Sequence, residues 1–166
     1  NKIKHKTLRF FYKVLSLFYL SGLVYLIFVI ESYYLNLKTY FLYSVLVAVM
    51  SDIGGLIFGK IFKGKKLTKI SPNKTIAGSI GSLFFSLLLI PFNYESLLNE
   101  NLLIVFVITI VISITSQLGD LFISIVKRKA KVKDTSDILP GHGGILDRID
   151  GIIFAVPVGI FLFIVV

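Results

Sequence analysis

The chain contains no cysteine. Disulfides, thiolate metal sites and a cysteine nucleophile are therefore excluded, and the composition suits a reducing environment. Acidic residues are scarce too: 9 Asp and Glu stand against 18 Lys and Arg, for a net charge of +9. Internal repeats, low-complexity tracts and domain linkers are missing, so residues 1–166 read as a single domain. The basic opening from Asn1 to Lys6 leads into an apolar stretch without a small-residue cleavage site, and no secretory signal is expected there. Abundance lies elsewhere. Hydrophobic residues supply 55% of 166 positions and mean hydropathy reaches +0.87. That is more apolar surface than a soluble chain of this length buries, so a bilayer must cover much of it.

A window of about 19 residues finds five apolar segments, Phe11–Ile30, Tyr40–Phe58, Thr75–Phe92, Leu102–Val126 and Ile149–Val166. Each comes near the ~20 residues that a helix needs to cross hydrocarbon. Helix is the expected form of all of them, because an open strand edge leaves main-chain groups unsatisfied in lipid. The expected fold is thus all-α, a polytopic integral membrane protein with about five transmembrane helices. Charge placement sets its orientation. All but one of the 18 basic residues lie in three groups, Lys2 to Lys13, Lys60 to Lys74 and Lys127 to Arg148. The alternate loops keep Lys38 with Glu31, Glu95 and Glu100, so the positive-inside rule directs the N-terminus and both basic loops to the cytoplasm. In a soluble protein this charge would suggest nucleic acid. Here the basic residues follow membrane topology, and no nucleic-acid partner is expected.

Polar residues inside the segments are patterned. Ser113, Gln117, Asp120, Ser124 and Lys127 recur at steps of four and three, which places them on one helical stripe running toward a basic loop. Thr75, Ser79, Ser82 and Ser86 have similar spacing, and Asp52, Gly55 and Gly59 offer a small or polar face for close helix packing. Asp52 and Asp120 carry the sharpest signal, since a carboxylate in hydrocarbon needs a partner. Either a structural ion pair or a metal would serve.

Chemistry concentrates in Ser124 to Asp150. Lys127, Arg128, Lys133 and Arg148 can neutralise phosphate oxygens, and Gly141, Gly143 and Gly144 let main-chain N–H groups approach a ligand. Asp134, Asp147 and Asp150 suit a hard divalent cation. In the preceding basic loop, Pro72 and Asn73 favour a turn, while Lys74 and Thr75 open the next helix, whose N-terminus attracts anions. The lysines of that loop serve equally to orient the helices and to touch anionic headgroups. His142, in a glycine turn, can be a general base or a hydrogen-bonding residue that sets the shape of the turn.

The pattern Ser124, Lys127-Arg128, Lys133-Asp134, Ser136, Leu139-Pro140, His142-Gly143-Gly144, Asp147-Arg148 and Asp150 resembles the signature of the phosphatidate cytidylyltransferases, also called CDP-diacylglycerol synthases. Gln117-Leu118-Gly119-Asp120 resembles the stretch that precedes this signature. A second block is resembled by Ser51-Asp52, Gly59-Lys60 and Ser71-Pro72-Asn73-Lys74-Thr75, so the likeness covers roughly Gly22 to the C-terminus. The chain departs from the family at Ile76-Ala77, where Trp and an acidic or amide residue are common, and at Ile53, where a small hydroxyl residue is common. Family members usually carry several more N-terminal membrane helices. The resemblance therefore implies a catalytic C-terminal part or an unusually short member.

It also implies transfer of a cytidylyl group from CTP to phosphatidic acid, giving CDP-diacylglycerol and pyrophosphate. Asp120 and Asp147 would be Mg2+ ligands, with Asp134 and Asp150 as further carboxylates around the metal. The expected catalytic residues are Asp120, Lys127, Arg128, Asp147 and Arg148. Substrate contacts are expected from Asp52, Ser71, Lys74, Thr75, Ser124, Lys133, His142, Gly143 and Gly144. A phosphate monoester has a second pKa of about 6, so the nucleophile needs alignment and charge neutralisation more than a base. The expected setting is a bacterial inner membrane with the site facing the cytoplasm; the bilayer is a partner, and a homodimer is compatible with the sequence. Two rival readings stay open, a CTP-dependent polyprenol or phytol kinase and a cation transporter using Asp52 and Asp120.

Overall fold

A computed structural model of the chain describes residues 2–33, 35–68, 71, 74–93, 101–132, 135, 144 and 146–165. Along these run α1 (Lys2–Tyr33), α2 (Leu35–Phe62), α3 (Ile76–Leu87), α4 (Leu89–Asn93), α5 (Leu102–Lys129) and α6 (Leu146–Val165). Among the described residues there is no strand, only an isolated antiparallel bridge between Lys66 and Thr75. Two stretches, Lys38–Phe62 and Leu102–Lys129, are long and apolar enough to cross a membrane, with mean hydropathies of 2.0 and 2.4. The other three expected segments also lie in helices, but their apolar stretches, Lys13–Leu26, Ile76–Phe92 and Ile149–Val165, are shorter. One of them is broken as well, by a turn at Leu88 between α3 and α4. Pro91 accounts for the break, because its ring lacks an N–H and crowds the carbonyl four residues back, at Leu87.

The chain divides into two units, Asn1–Lys38 and Thr39–Val166. In the first, α1 exposes Phe11, Leu17, Phe18, Val24, Tyr25 and Phe28. The hydroxyls of Ser16 and Ser21 donate to the carbonyls of Lys13 and Phe18, at 2.9 and 3.1 Å, within the same helix. Such local closure of polar groups is what hydrocarbon surroundings would require.

In the second unit, α2 and α3 cross at glycines. A Cβ added at Gly54 would stand 2.7 Å from Cβ of Phe85, and one at Gly55 would stand 2.7 Å from Oγ of Ser82. Missing side chains are what lets the two backbones approach so closely. The same device joins α6 to α5, where Gly119 lies against Phe154 and Gly151 against Ser116. Side-chain pairings then fix the directions. Tyr43 and Ser51 of α2 meet Thr109 and Ser113 of α5 in ascending order, so these helices run parallel. Lys74 and Ser79 meet Asp120 and Gln117 in descending order, so α3 runs antiparallel to α5. Gly151 beside Ser116 and Gly159 beside Ile112 reverse α6 in the same way. Consequently the end of α2, the start of α3, the end of α5 and the start of α6 share one end of the bundle.

Toward the other end lies the apolar core, built on Tyr43, Val47, Ala48, Ile90, Val105, Ile108, Ile112, Ala155 and Phe163. Phe163 stacks on Tyr40 with ring centroids 4.4 Å apart and meets Tyr43 edge-on at 5.9 Å. Small hydroxyl residues such as Ser44, Ser51, Ser86, Thr109 and Ser113 are fully buried, while Leu56, Phe84, Leu103, Phe122 and Phe161 are exposed. This inverts the soluble pattern and matches a bundle solvated by lipid.

Candidate active site

The polar stripe of α5 organises the site, because successive members find partners on other elements. At the apolar end Thr109 Oγ1 donates to the carbonyl of Val105 at 2.6 Å. A threonine has one hydroxyl hydrogen, so the Tyr43 hydroxyl is the donor in its own 2.6 Å bond to Thr109. One turn on, Ser113 and Ser51 pair at 3.0 Å. Next, Ser79 Oγ donates to Oε1 of Gln117. Asp120 then forms an ion pair with Lys74 and accepts a long 3.5 Å bond from Ser124. Last comes Lys127, whose Nζ lies 3.8 Å from Asp150 Oδ2. The ladder thus passes from neutral hydroxyl pairs to charged pairs at the shared end of the bundle.

Local folding holds these groups in place. After α2, Lys63 and Gly64 take left-handed φ of 48° and 86°, which stops the helix. The chain then doubles back: Leu67 N–H donates to the Lys74 carbonyl at 2.8 Å, and Ile76 N–H to that of Lys65 at 3.0 Å. Lys74 N–H donates to the Ser71 carbonyl at 3.1 Å, and Ser71 N–H to Thr68 Oγ1 at 3.2 Å. Both main-chain groups of Lys74 are therefore tied. Thr75 caps α3 by accepting the Gly78 N–H at 3.0 Å.

At the end of α5, Val132 N–H donates to the Lys127 carbonyl and Lys131 N–H to that of Arg128, both at 3.0 Å, with Lys131 at φ 59°. These two bonds form a Schellman closure, and the basic last turn complements the negative end of the helix. Arg128, on the exposed side, donates from Nη1 to the Val132 carbonyl at 3.3 Å.

Three helices bring carboxylates within Coulombic reach of one another: Asp52 from α2, Asp120 from α5 and Asp150 from α6. Lys74 and Lys127 offset part of that charge and leave a negative surplus among these five residues. Asp150 is buried, and its Oδ1 accepts the Gly151 N–H at 2.9 Å. Among the described residues no group of three or more acidic or histidine side chains surrounds a single ion position. The donor chemistry nevertheless fits a hard divalent cation, since the ligands on offer are carboxylate oxygens with excess negative charge.

The structure brings Asp52, Lys74, Asp120, Ser124, Lys127 and Asp150 together. Thr75 joins them as the cap, Ser71 contributes main-chain bonds, and Arg128 bonds the start of the following loop. Gly144 is buried. Asp147 and Arg148 lie in the first turn of α6, with side chains outside the described residues, as are Lys133, Asp134, His142 and Gly143 altogether. Sequence reasoning did not anticipate the Tyr43–Thr109 bond, the Ser79–Gln117 bond or the Lys127–Asp150 pair. Thr109 could have been found, because it sits four residues before Ser113 and extends the stripe by one turn. Which partner each rung would meet depends on helix pairing, and local spacing carries no signal for that.

Compared with known proteins, the whole chain, residues 1–166, matches the model of the Cytidylyltransferase family. Among curated relatives, a phosphatidate cytidylyltransferase of Staphylococcus aureus (strain COL) is 47% identical over 120 residues, covering 71% of this chain and 46% of the relative. One from Staphylococcus haemolyticus is 48% identical over 120 residues, with the same 71% and 46% coverage. The enzyme of that name from Staphylococcus epidermidis is 44% identical over 121 residues. The chain spans about half the length of these relatives, at 46%.

Proposed function

Because the chain belongs to the Cytidylyltransferase family, we propose that the charged end of its bundle transfers a cytidylyl group from CTP to phosphatidic acid. The observation that carries this reading is the convergence of Lys74, Asp120, Lys127 and Asp150 at one end of an otherwise apolar bundle. Such charges suit a polyphosphate at the level where a lipid phosphate lies. An oxygen of the phosphatidate monoester attacks the α-phosphorus of CTP. The new P–O bond forms as the α–β bridging bond breaks, and the electron pair leaves on pyrophosphate. With a second pKa of about 6, the attacking phosphate is already mostly dianionic, so His142 is not needed as a base.

Lys127, with Arg128, Lys133 and Arg148, neutralises phosphate oxygens that would otherwise repel one another. Lys74 and the Thr75-capped start of α3 bind the nucleotide, with Ser71, Ser124, Gly143 and Gly144 lining its approach. Asp120 and Asp150, with Asp134 and Asp147, would hold Mg2+, which supplies charge neutralisation at the leaving pyrophosphate. Asp52, within Coulombic reach of Asp120 and Asp150, adds negative charge beside them. Phosphatidate keeps its acyl chains in the bilayer beside exposed side chains such as Leu118 and Phe122, and presents only its headgroup. The proposed setting is a bacterial inner membrane crossed by all five apolar segments, with the site on the cytoplasmic side, as a monomer or a homodimer.

Radiolabelled CTP offered to the chain in phosphatidate-containing micelles tests the reading. Label is expected in CDP-diacylglycerol, with pyrophosphate released and with dependence on Mg2+. Phosphorylated prenol with CDP as coproduct would point to a kinase instead, and cation flux without turnover would point to a transporter.

A further inference from the structure

We propose that Lys74 is a resident counter-ion of Asp120, one that yields this carboxylate to an arriving divalent cation and transfers its own charge to a nucleotide phosphate. The inference deepens the reading above and rests on it. Its starting point is the ion pair itself. Lys74 lies on Asp120, the stripe residue placed among Asp52 and Asp150, and the two side chains are 24% and 28% exposed. Without that ammonium, the three carboxylates would face one another with Lys127 alone among these residues to offset them.

The backbone restricts how Lys74 can respond. Its N–H is held by the Ser71 carbonyl, its carbonyl by the Leu67 N–H, and the next residue is the cap of α3. With those bonds kept, exchange runs through rotations of the lysine's four-carbon stem. A divalent cation at Asp120 places like charge beside Lys74 and weakens its hold on the carboxylate. A polyphosphate arriving with that cation offers the ammonium a new acceptor at the same end of the bundle. The same ammonium thus opposes binding of the cation alone and favours binding of the nucleotide.

Opposite signs make the exchange testable. In Lys74→Met, which keeps much of the stem and loses the charge, the affinity for Mn2+ alone should rise roughly tenfold, while the affinity for CTP with Mn2+ should fall by a similar factor. Free Mn2+ is counted by its paramagnetic resonance, with Asp120→Asn as the blank. Lys74→Arg should bind Mn2+ more weakly than the unaltered chain, because a guanidinium fork grips the carboxylate more firmly. On the unaltered chain, acylation of the Lys74 amine, read by mass spectrometry, should increase with Mn2+ alone and fall again when CTP is added. Should Lys74→Met fail to fold, this labelling decides by itself. Unchanged or weaker Mn2+ binding in a folded Lys74→Met, or labelling of the unaltered chain that ignores Mn2+, would overturn the exchange and leave cytidylyl transfer standing. An unaltered chain that binds neither Mn2+ nor CTP would overturn both.

Discussion

Asp120 has neighbours of both signs, the ammonium of Lys74 on one side and the carboxylates of Asp52 and Asp150 within Coulombic reach. Replacing it by Asn keeps its size and removes the charge that would hold a metal. Turnover should fall roughly 100-fold or more, the scale seen when one electrostatic stabiliser of a transition state is lost. Stability should change by no more than about 1 kcal/mol, because the lost attraction to Lys74 is offset by relief of like-charge repulsion from Asp52 and Asp150. CTP turnover and thermal unfolding of Asp120→Asn, measured together, check both expectations. Near-normal turnover would make this carboxylate structural. Arg128→Lys is the companion test: if the guanidinium clamps phosphate in the loaded enzyme, an ammonium cannot reproduce the fork and turnover drops while unfolding is unchanged. At this scale the sequence was informative about faces and silent about partners. The three- and four-residue steps from Ser113 to Lys127 put the right side chains on one stripe, since helical geometry is local. That Asp120 would meet Lys74, forty-six residues earlier, depends on how α3 packs against α5, and no local rule encodes it.

Between elements, close approach replaces the hydrophobic driving force that lipid takes away. Gly54 makes this concrete, because an added Cβ would stand 2.7 Å from Cβ of Phe85 and 2.9 Å from the main-chain carbon of Gly81. Gly54→Ala should therefore separate α2 from α3 and cost about 1–3 kcal/mol, as overpacking does. Gly22→Ala is the control, since nothing lies within 4 Å of its added Cβ, and its unfolding temperature should hold level or rise. Tyr43→Phe should be mild, near 1 kcal/mol or below, because Thr109 keeps its bond to the Val105 carbonyl. Thermal unfolding in one detergent ranks the three variants, and an order in which Gly22→Ala is the most damaging would refute the packing argument. Gly55, Gly59, Ser79, Ser82 and Ser86 of these faces were readable from the sequence as small-residue stripes, whereas Gly54 and Gly81, at the tightest approach of α2 and α3, fell outside them. The break at Leu88 was also within reach, because Pro91 sits in the middle of the third apolar segment. It was passed over because hydropathy averages across a proline without registering the lost N–H.

For the molecule as a whole, alternating charge and observed pairing give the same alternation of directions. The positive-inside rule sends the ends of α2 and α5 and the starts of α3 and α6 to one side. In the structure α2 runs parallel to α5, while α3 and α6 run antiparallel to it, which gathers those four ends at the charged site. Which side of the membrane they occupy is the remaining step, and the absence of native cysteine makes it measurable, since each introduced thiol is unique. Lys65→Cys and Lys129→Cys mark exposed positions at the site end, and Asn101→Cys marks the exposed cap of α5 at the other. Each lysine change leaves several basic neighbours in its group, so the topogenic charge survives. A membrane-impermeant maleimide added to intact cells should label Asn101→Cys alone, and permeabilisation should open the other two. Labelling of all but Asn101→Cys in intact cells would invert the molecule and put the charged site outside. Should Lys65→Cys and Lys129→Cys differ from each other, the two basic loops would lie on opposite faces, and Lys74 could not reach Asp120.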